Sequence, residues 1–501
     1  MKLVNLSIAA AAACLFATSA HALKSEDRII KGNYQVEYTK APGDVNSFAE
    51  MFSEGEVYGR LRSNAFLWDW NNENAAVQDN DMWGLGGSLV AKTGFYHGFG
   101  ATIGFYGTTQ VLDDNTIPGS VTNFGKAGKD TYHTRRDGTE GGMGNFAEAY
   151  LEYKNGKTDV KVGRQMIDSI MLASNDTKMI PNTFEAAVVE NKDIANTTLR
   201  AGYIMSQKLR DHQSFHSIIA FDSVSKVEGN DDSGVHKGLS TANIRTRGNG
   251  DIDPEMVLIT AQNTSIPNLK LNAEYVGVDG FVNTAIAEAN YKIKLSDAWT
   301  LTPGVRYLSQ MDDGAGYIGG AALSNKLQNA TTSGITGYKD VRNVDGSIIM
   351  ARLVAASGPL ELSTGYSKVS DDADIIAPWR GFPTGGYTRS MAQVDWIANT
   401  KNWAVKAVYD FGKAGMVSGF KVAADYENMN FDDAKAFTSG FTDRNIFHVD
   451  AWKTFKAVPN TEFKLRFATV NADPAYTSAT VQSTVDNNSY NEYRFEINYL
   501  F

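Results

Sequence analysis

The last strand of the chain constrains the fold most, because it alternates between two kinds of side chain. From Tyr490 to Phe501, large apolar residues repeat at every second position, with charged or polar residues between them. Successive side chains of a β-strand point to opposite faces, so one face of this strand is apolar and the other polar. The apolar face suits lipid, and the polar face suits a lumen. An edge strand of a soluble sandwich is the alternative, and the large apolar residues on one face disfavour it.

The same alternation recurs along the chain in segments of about ten residues, near the length that crosses a bilayer as a tilted strand. Clear examples begin at Glu56, Trp299, Trp403, Phe420 and Phe463. Lipid-facing and lumen-facing residues cancel in a hydropathy average, which explains why the mean hydropathy of −0.29 looks soluble.

Short and long connections alternate between these segments. Short ones carry turn signals such as Asn155-Gly156 and Ser357-Gly358, whereas long ones include 206–254 and 309–346. This asymmetry is typical of membrane barrels with tight periplasmic turns and long outer loops.

A direct count gives nineteen candidate strands, but single-chain bacterial barrels close with an even number and keep both ends on the periplasmic side. Assigning Ser390–Ala398 to one long outer loop, 369–401, restores the alternation. We therefore predict an all-β fold, a transmembrane antiparallel up-and-down β-barrel over residues 56–501. It has about eighteen strands, eight short turns and nine outer connections.

Residues 1–22 have the three parts of a secretory signal. Lys2 supplies the positive start, Leu6–Thr18 is an apolar run, and small residues precede a cleavage site after Ala22. Cys14 raises a lipoprotein alternative, although the leucine usual three residues before a lipidated cysteine is missing. We expect export to the outer membrane of a Gram-negative cell.

Composition narrows the remaining classes. Removal of the signal takes away the single cysteine, so the exported chain has no disulfides or thiolate metal sites. The formal net charge of −10 argues against nucleic acid as a partner. Residues 23–55 are polar, and we interpret them as a periplasmic N-terminal segment that is too small for a plug domain. A siderophore-type receptor would need such a plug and about 22 strands.

Three segments resemble the OprD-type outer-membrane porins, which are substrate-selective eighteen-stranded channels. GLGGSLVAKTGFYHGFGATIGFYG (84–107) is similar to the second and third strands of the family, and GRQMIDSIMLASNDTKMIPNTFEA (163–186) is similar to its third outer loop. WAVKAVYDFGKAGMVSGFKVAADY (403–426) is similar to a strand–turn–strand unit. The segment PWRGFPTGGYTRSMAQ (378–393) is more similar to a divergent branch of that family than to its best-known members.

The resemblance implies that the third outer loop, residues 167–183, folds inward and narrows the pore. Asp168, Asn175, Asp176 and Lys178 are then the polar groups that can reach the lumen. An ordinary surface loop is the alternative.

The resemblance also implies a ladder of basic side chains along the lumen. A row of guanidinium groups offers bidentate sites to carboxylates, and many weak sites let a solute move on. The alternative is that charges are only kept off lipid, where a mid-plane Arg or Lys costs ~2–4 kcal/mol. The ladder candidates are Arg60, Arg62, Arg306, Arg352, Lys406, Lys421, Lys464, Arg466 and Arg494. Inward acidic residues can form the opposing half of a transverse electric field across the lumen. They are Glu148, Glu152, Glu274, Glu288, Asp410, Asp425, Glu427 and Glu496.

These features predict a passive diffusion channel for small polar or charged solutes, most of them carboxylate-bearing: organic acids, amino acids or peptides. We expect no enzyme activity, cofactor or metal site. The sequence has no His-Glu-x-x-His or Gly-x-Ser-x-Gly motif, and acidic clusters such as Asp371-Asp372 are interpreted as solvated loop charge. A surface adhesin or structural barrel is the alternative, and a barrel-embedded hydrolase is a weaker one.

The expected partners follow from that location. They are outer-membrane lipid and lipopolysaccharide, the barrel-assembly machinery, and small-molecule solutes. Tyr499 and the terminal Phe501 resemble the C-terminal assembly signal of outer-membrane proteins. Both a monomer and a homotrimer are compatible with the sequence.

Overall fold

The computed structural model describes residues 28–501 except 74–78, 114–141, 211, 213, 222–237, 325, 328–329, 331–335, 392 and 487. The predicted signal at residues 1–22, including Cys14, lies outside the described residues. Within them, eighteen long strands form one closed barrel. The strands are β1 (Glu56–Trp70), β2 (Asn80–Lys92), β3 (Phe99–Asp113), β4 (Gly142–Asn155), β5 (Thr158–Gln165), β6 (Thr183–Asn191), β7 (Thr197–Lys208), β8 (Met256–Asn263), β9 (Leu269–Val278), β10 (Val282–Tyr291), β11 (Thr300–Asp312), β12 (Gly346–Ser357), β13 (Leu360–Val369), β14 (Lys401–Asp410), β15 (Phe420–Asn430), β16 (Arg444–Phe455), β17 (Val458–Ala472) and β18 (Tyr490–Leu500).

Each strand pairs antiparallel with the next, and β18 closes the barrel on β1 with a register from Tyr490↔Trp70 to Leu500↔Arg60. The predicted fold class and strand number are confirmed. The described residues of 390–398 form no strand and lie in the connection 370–400, as the even strand number required. Three outer connections matter below: L3 (166–182), L6 (313–345) and L7 (370–400).

The alternation of side chains also holds. On β1, Leu61 is 58% exposed on the outer face, whereas its neighbour Arg60 on the inner face is 1% exposed. Val305 and Ile349 are similarly exposed on the outer faces of β11 and β12. The wall therefore presents apolar side chains outward and polar side chains to the lumen, as a bilayer requires.

Short elements decorate the barrel. The described residues include the short helices Glu50–Ser53, Thr241–Arg247, Ala315–Gly319 and Asp433–Ser439. None of the helices in the described part of the chain has the length and apolar character to cross a membrane. Two-stranded pairs in the outer loops are Ala220–Phe221 with Leu239–Ser240 and Tyr476–Ser478 with Val481–Gln482. Ile293–Lys294 extends the sheet beside β11.

The N-terminal residues also form local structure. Arg28–Ile30 and Val36–Tyr38 make an antiparallel hairpin, and Asp44–Val45 pairs in parallel with Phe95–Tyr96 in the first periplasmic turn. This pairing attaches the N-terminal segment to the periplasmic end of the barrel.

L6 and L7 pack together on a buried carboxylate. Asp374 of L7 accepts hydrogen bonds from the Tyr338 hydroxyl (2.8 Å), the Leu323 amide (2.9 Å) and the Ala398 amide (2.9 Å). Burial raises the pKa of the Asp374 carboxyl from 3.8 to about 6. This one side chain links both outer loops.

Because the pKa of Asp374 in the folded loops lies above its unfolded value, protonation favours folding. We expect loop packing to be most stable below about pH 4 and to lose about 3 kcal/mol as the pH rises through 6. Hydrogen exchange of the Leu323 and Ala398 amides, corrected for intrinsic rates, should show more protection at pH 5 than at pH 8. Asp374→Asn should remove this pH dependence, whereas the exposed neighbour Asp372→Asn should keep it. Equal protection at both pH values in the native chain would contradict the prediction.

Barrel closure generates a second prediction. The Gly59 and Phe501 backbones exchange two hydrogen bonds of 2.9 and 3.1 Å, and a Cβ at Gly59 would lie 2.4 Å from the Ser88 carbonyl oxygen and 2.5 Å from Phe501 Cζ. We expect Gly59→Ala to destabilise the barrel by about 1–3 kcal/mol through overpacking. The matched control is Gly202→Ala, where the nearest atom is 3.4 Å away. Urea titration of the heat-modifiable folded band should shift for the first variant only, and equal midpoints would refute the closure argument.

Candidate functional site

L3 crosses the lumen and is fixed to β1 by an ion-pair cluster. The Asp176 carboxylate accepts from both Arg60 and Arg62, the latter at 2.8 Å, and Arg62 also donates to the Asp176 carbonyl at 3.1 Å. Asn64 donates to the Lys178 carbonyl at 3.1 Å. These contacts hold the middle of L3 against the inner wall.

The other side of L3 is fixed to β9. Glu274 accepts hydrogen bonds from the Ser169 hydroxyl (2.9 Å), the Ile170 amide (2.8 Å) and the Met171 amide (2.8 Å). A buried carboxylate that receives three donors is a strong anchor, because hydrogen bonds to a charged group are stronger than those between neutral groups. L3 therefore spans the pore between two walls.

The structure brings the four predicted L3 residues into different environments. Asp168 is exposed and accepts from the Ser174 amide at 3.0 Å. Asn175 accepts from the Thr177 amide at 2.9 Å in a local turn. Asp176 is the ion-pair centre, and Lys178 is buried, with its ammonium 4.6 Å from the centre of the Phe66 ring. Among these four, Asp168 has the side chain that remains exposed.

L7 is a second inward-folded loop, although the sequence predicted only a long outer loop. Its Trp379 and Trp396 are fully buried. The L7 backbone bonds directly to L3, with the Ala173 amide donating to the Trp379 carbonyl at 3.2 Å and the Phe382 amide to the Ile170 carbonyl at 3.1 Å. Apolar residues inside a loop were the signal that could have revealed this packing.

Wall residues anchor L7 as they anchor L3. Arg306 donates to the Pro383 carbonyl at 2.8 Å and to the Gly385 carbonyl at 3.1 Å. On the other side, the Ser390 amide donates to Glu427 at 2.8 Å, and its hydroxyl donates to Asp425. L3 and L7, which contact each other and opposite parts of the wall inside the lumen, are together the candidate constriction.

All nine ladder candidates occupy inward positions on their strands, but most of them are already paired. Among the described residues, six form ion pairs: Arg60 and Arg62 with Asp176, Arg306 with Glu288, Lys464 and Arg466 with Asp450, and Arg494 with Glu492. These pairs neutralise much of the basic charge that the sequence suggested.

The remaining three, Arg352, Lys406 and Lys421, have no ion pair within the described part of the chain. Arg352 pairs with Gly365 of β13, and Gly365 pairs with Ala404 of β14, so Arg352 and Ala404 lie at the same height. Lys406 lies two residues further along β14, nearer the periplasm. Lys421 is level with Asp410, four residues beyond Lys406. At about 3.3 Å per residue, the steps are about 7 and 13 Å. The three cations therefore descend along one side of the lumen.

The inward acids contact neighbouring wall or loop groups. Glu274, Asp425 and Glu427 anchor loops as described above. The others bond as follows: Glu148 with Tyr106, Glu152 with Lys154, Glu288 with Arg306, Asp410 with the Lys413 amide, and Glu496 with Lys464 and Arg494. These carboxylates therefore hold neighbouring side chains and loops of the barrel interior in place.

A polar cavity of about 320 Å³ lies in the lumen beside L3. Its wall includes Tyr58, Tyr106 and Tyr150, together with Lys92 and Lys161. Tyrosine hydroxyls and ammonium groups are suited to a small polar solute rather than an apolar one.

The described residues contain no group of three side chains arranged to bind a metal ion. His212 and His216 stand four positions apart, with Nδ1 of the first 2.8 Å from Nε2 of the second. Two ligands do not make a zinc site, which needs at least three from the protein.

The L3 anchor can be tested by removing its carboxylate. Glu274→Ala leaves the Ser169 hydroxyl and two backbone amides without their acceptor, so we expect a looser L3, a larger single-channel current and more current noise. Glu361→Ala is the matched control, because Glu361 faces the lumen near the periplasmic end and is exposed. A Glu274→Ala channel with the current and noise of the parent would show that this carboxylate does not hold the constriction.

Solved structures share this architecture. The chain is 17% identical to a BenF-like porin from Pseudomonas fluorescens Pf-5, covering 89% of this chain and 98% of that one, with a TM-score of 0.66. Pseudomonas aeruginosa OpdK with vanillate is 15% identical, with the same coverage and a TM-score of 0.65. Acinetobacter baumannii OccAB4 is 14% identical, again with that coverage, and has a TM-score of 0.67.

No curated protein sequence matches the chain. The family model described as outer membrane porin, OprD family, matches residues 50–500, which is nearly the whole barrel. With eighteen strands, an inward L3 and this match, the chain belongs to the OprD family of outer-membrane porins.

Proposed function

We propose that this porin is a passive diffusion channel that favours small solutes bearing a carboxylate. The observation that carries the proposal is the descending row of Arg352, Lys406 and Lys421, which has no ion pair among the described residues. An anion that leaves the constriction meets these cations one after another. Several weak sites in series let a solute pass without being trapped.

Arg352 is the best-formed of the three sites. Its guanidinium is held by Asn290 at 2.6 and 3.2 Å and by the Gly386 carbonyl at 2.9 Å, and it lies 4.7 Å from the centre of the Tyr387 ring. These neutral partners orient the group without cancelling its charge. A fixed guanidinium is suited to a carboxylate because its donors form a planar fork.

The comparisons with solved structures support the choice of carboxylate-bearing solutes. OpdK, whose fold the chain shares, has been crystallised with vanillate, an aromatic carboxylate. That ligand belongs to OpdK, and for this chain it supports only the general class of carboxylate-bearing solutes. Export by a cleaved signal at residues 1–22, contacts with lipopolysaccharide, assembly through Phe501, and a monomeric or trimeric state all stay predictions.

A hydrolase in the barrel is not supported by the described cluster of His448, Asp425 and Ser390, which resembles a triad in composition. His448 Nδ1 lies 2.8 Å from Asp425, and Nε2 lies 3.1 Å from Asp450. Ser390 bonds to Asp425 rather than to the histidine. Because both ring nitrogens face carboxylates, neither is placed to take a proton from the serine.

The channel is tested by reversal potentials in a salt gradient across a planar bilayer. We expect stable open steps with a preference for acetate over potassium. Lys406→Glu with Lys421→Glu should lower the anion-to-cation permeability ratio about threefold or more, because reversing lumen charges repels anions at distances within a Debye length. Lys413→Glu, in a periplasmic turn, is the matched control. Absence of conductance from folded protein would refute the channel, and an unchanged ratio would refute the carboxylate preference.

A further inference from the structure

The N-terminal hairpin, residues 28–38, lies inside the lumen. Arg28 donates to the Leu500 carbonyl of β18 at 3.0 Å, and Gln35 donates to the Ser174 carbonyl of L3 at 2.5 Å. Arg28 and Gln35 are both buried. The hairpin therefore reaches from the periplasmic end of the wall up to the constriction, although the sequence suggested only a periplasmic segment.

The tip of the hairpin is held on several sides. Arg60 donates to the Tyr34 carbonyl at 2.7 Å, and Trp452 donates to the Tyr34 hydroxyl at 3.3 Å. The Asp176 amide donates to the Asn33 carbonyl at 2.9 Å. Contacts with β1, β16 and L3 at once are typical of a fixed part of the barrel rather than of a swinging arm.

The hairpin forms one side of the 320 Å³ cavity. Lys31, Gln35 and Tyr38 line that space together with Tyr58 and Arg60 of β1, and the Tyr38 ring contacts the Tyr58 ring. The Lys31 side chain is exposed and, within the described part of the chain, forms no ion pair. Arg60, by contrast, is ion-paired with Asp176, which it shares with Arg62. Lys31 is therefore an exposed cation of this passage without an ion pair among the described residues.

We propose that the hairpin is the resident inner wall of the solute passage below L3, and that Lys31 sets its preference for anions. The inference rests on the proposed channel function and adds an element to it. The match to the porin family begins at residue 50, so the hairpin is a feature of this chain outside that match. A solute that passes L3 moves between the hairpin and β1–β5 before it reaches the periplasm.

The charge of the passage is tested with Lys31→Glu. The expected result is a fall of about threefold in the anion-to-cation permeability ratio, with little change in the folded fraction. Lys40→Glu is the matched control, because Lys40 is exposed on the same segment but does not line the cavity. An equal ratio in Lys31→Glu and the parent would overturn the assignment of Lys31.

The fixed position of the hairpin is tested by tethering its tip to L3. Asn33 Nδ2 lies 3.3 Å from Asp168 Oδ2, so Asn33→Cys with Asp168→Cys can be joined by a short, reducible bis-thiosulfonate reagent. If the hairpin is a fixed inner wall, the channel keeps its conductance when the hairpin is tethered. Conductance that stops on tethering and returns on reduction would overturn the proposal in favour of a moving gate. Each single cysteine variant controls for modification.

Removal of the wall completes the test. Deletion of residues 28–43 should raise the single-channel conductance at least twofold and make Lys31-dependent selectivity disappear. If the deleted chain folds and conducts like the parent, the hairpin does not line the path. Failure of the parent itself to conduct would instead refute the channel function, so the two failures are distinguishable.

Discussion

Closure of the sheet between β18 and β1 is the constraint from which the rest of the structure follows. In hydrocarbon no water satisfies a free backbone amide or carbonyl, so a sheet that spans a membrane must have no open edge. The register from Tyr490↔Trp70 to Leu500↔Arg60 supplies that last set of hydrogen bonds. Once the sheet is closed, each strand has one face in lipid and one in the lumen, and most charges of the wall lie on the inner face.

That inward charge then determines how the lumen is built. A buried ion without a partner is costly, and pairing offsets the cost. Asp176 of L3 accepts from Arg62 of β1, Glu274 of β9 accepts from L3, and Arg306 donates to L7. Polar groups kept from lipid thus become the anchors of the constriction. Because most wall cations are used in this way, the selectivity that we propose rests on the few without an ion pair among the described residues, such as Lys406.

The strands of this barrel could be predicted from the sequence, whereas most of the loop packing could not. Strands are local patterns, so alternation predicted them, and strand parity correctly placed Ser390–Ala398 in a loop. L3 was found only by resemblance. The inward positions of L7 and the hairpin were not predicted, because their packing depends on long-range contacts that leave no periodic pattern in the sequence. The Trp379 indole, for example, donates to the Ile218 carbonyl, 161 residues away. The ion pairs of six ladder cations were not predicted for a related reason. Alternation shows which face of the strand a charged side chain lies on, but not which partner it pairs with.

The constriction and the proposed inner wall are one hydrogen-bonded unit centred on Asp176. Its carboxylate binds Arg60, and its amide donates to the Asn33 carbonyl of the hairpin. Arg60 in turn donates to the Tyr34 carbonyl. A displacement of L3 therefore changes the support of the hairpin, and a displacement of the hairpin removes a partner from L3. Coupling of this kind is local and physical, and it implies that the anchor of L3 and the fixed position of the hairpin depend on the same few contacts.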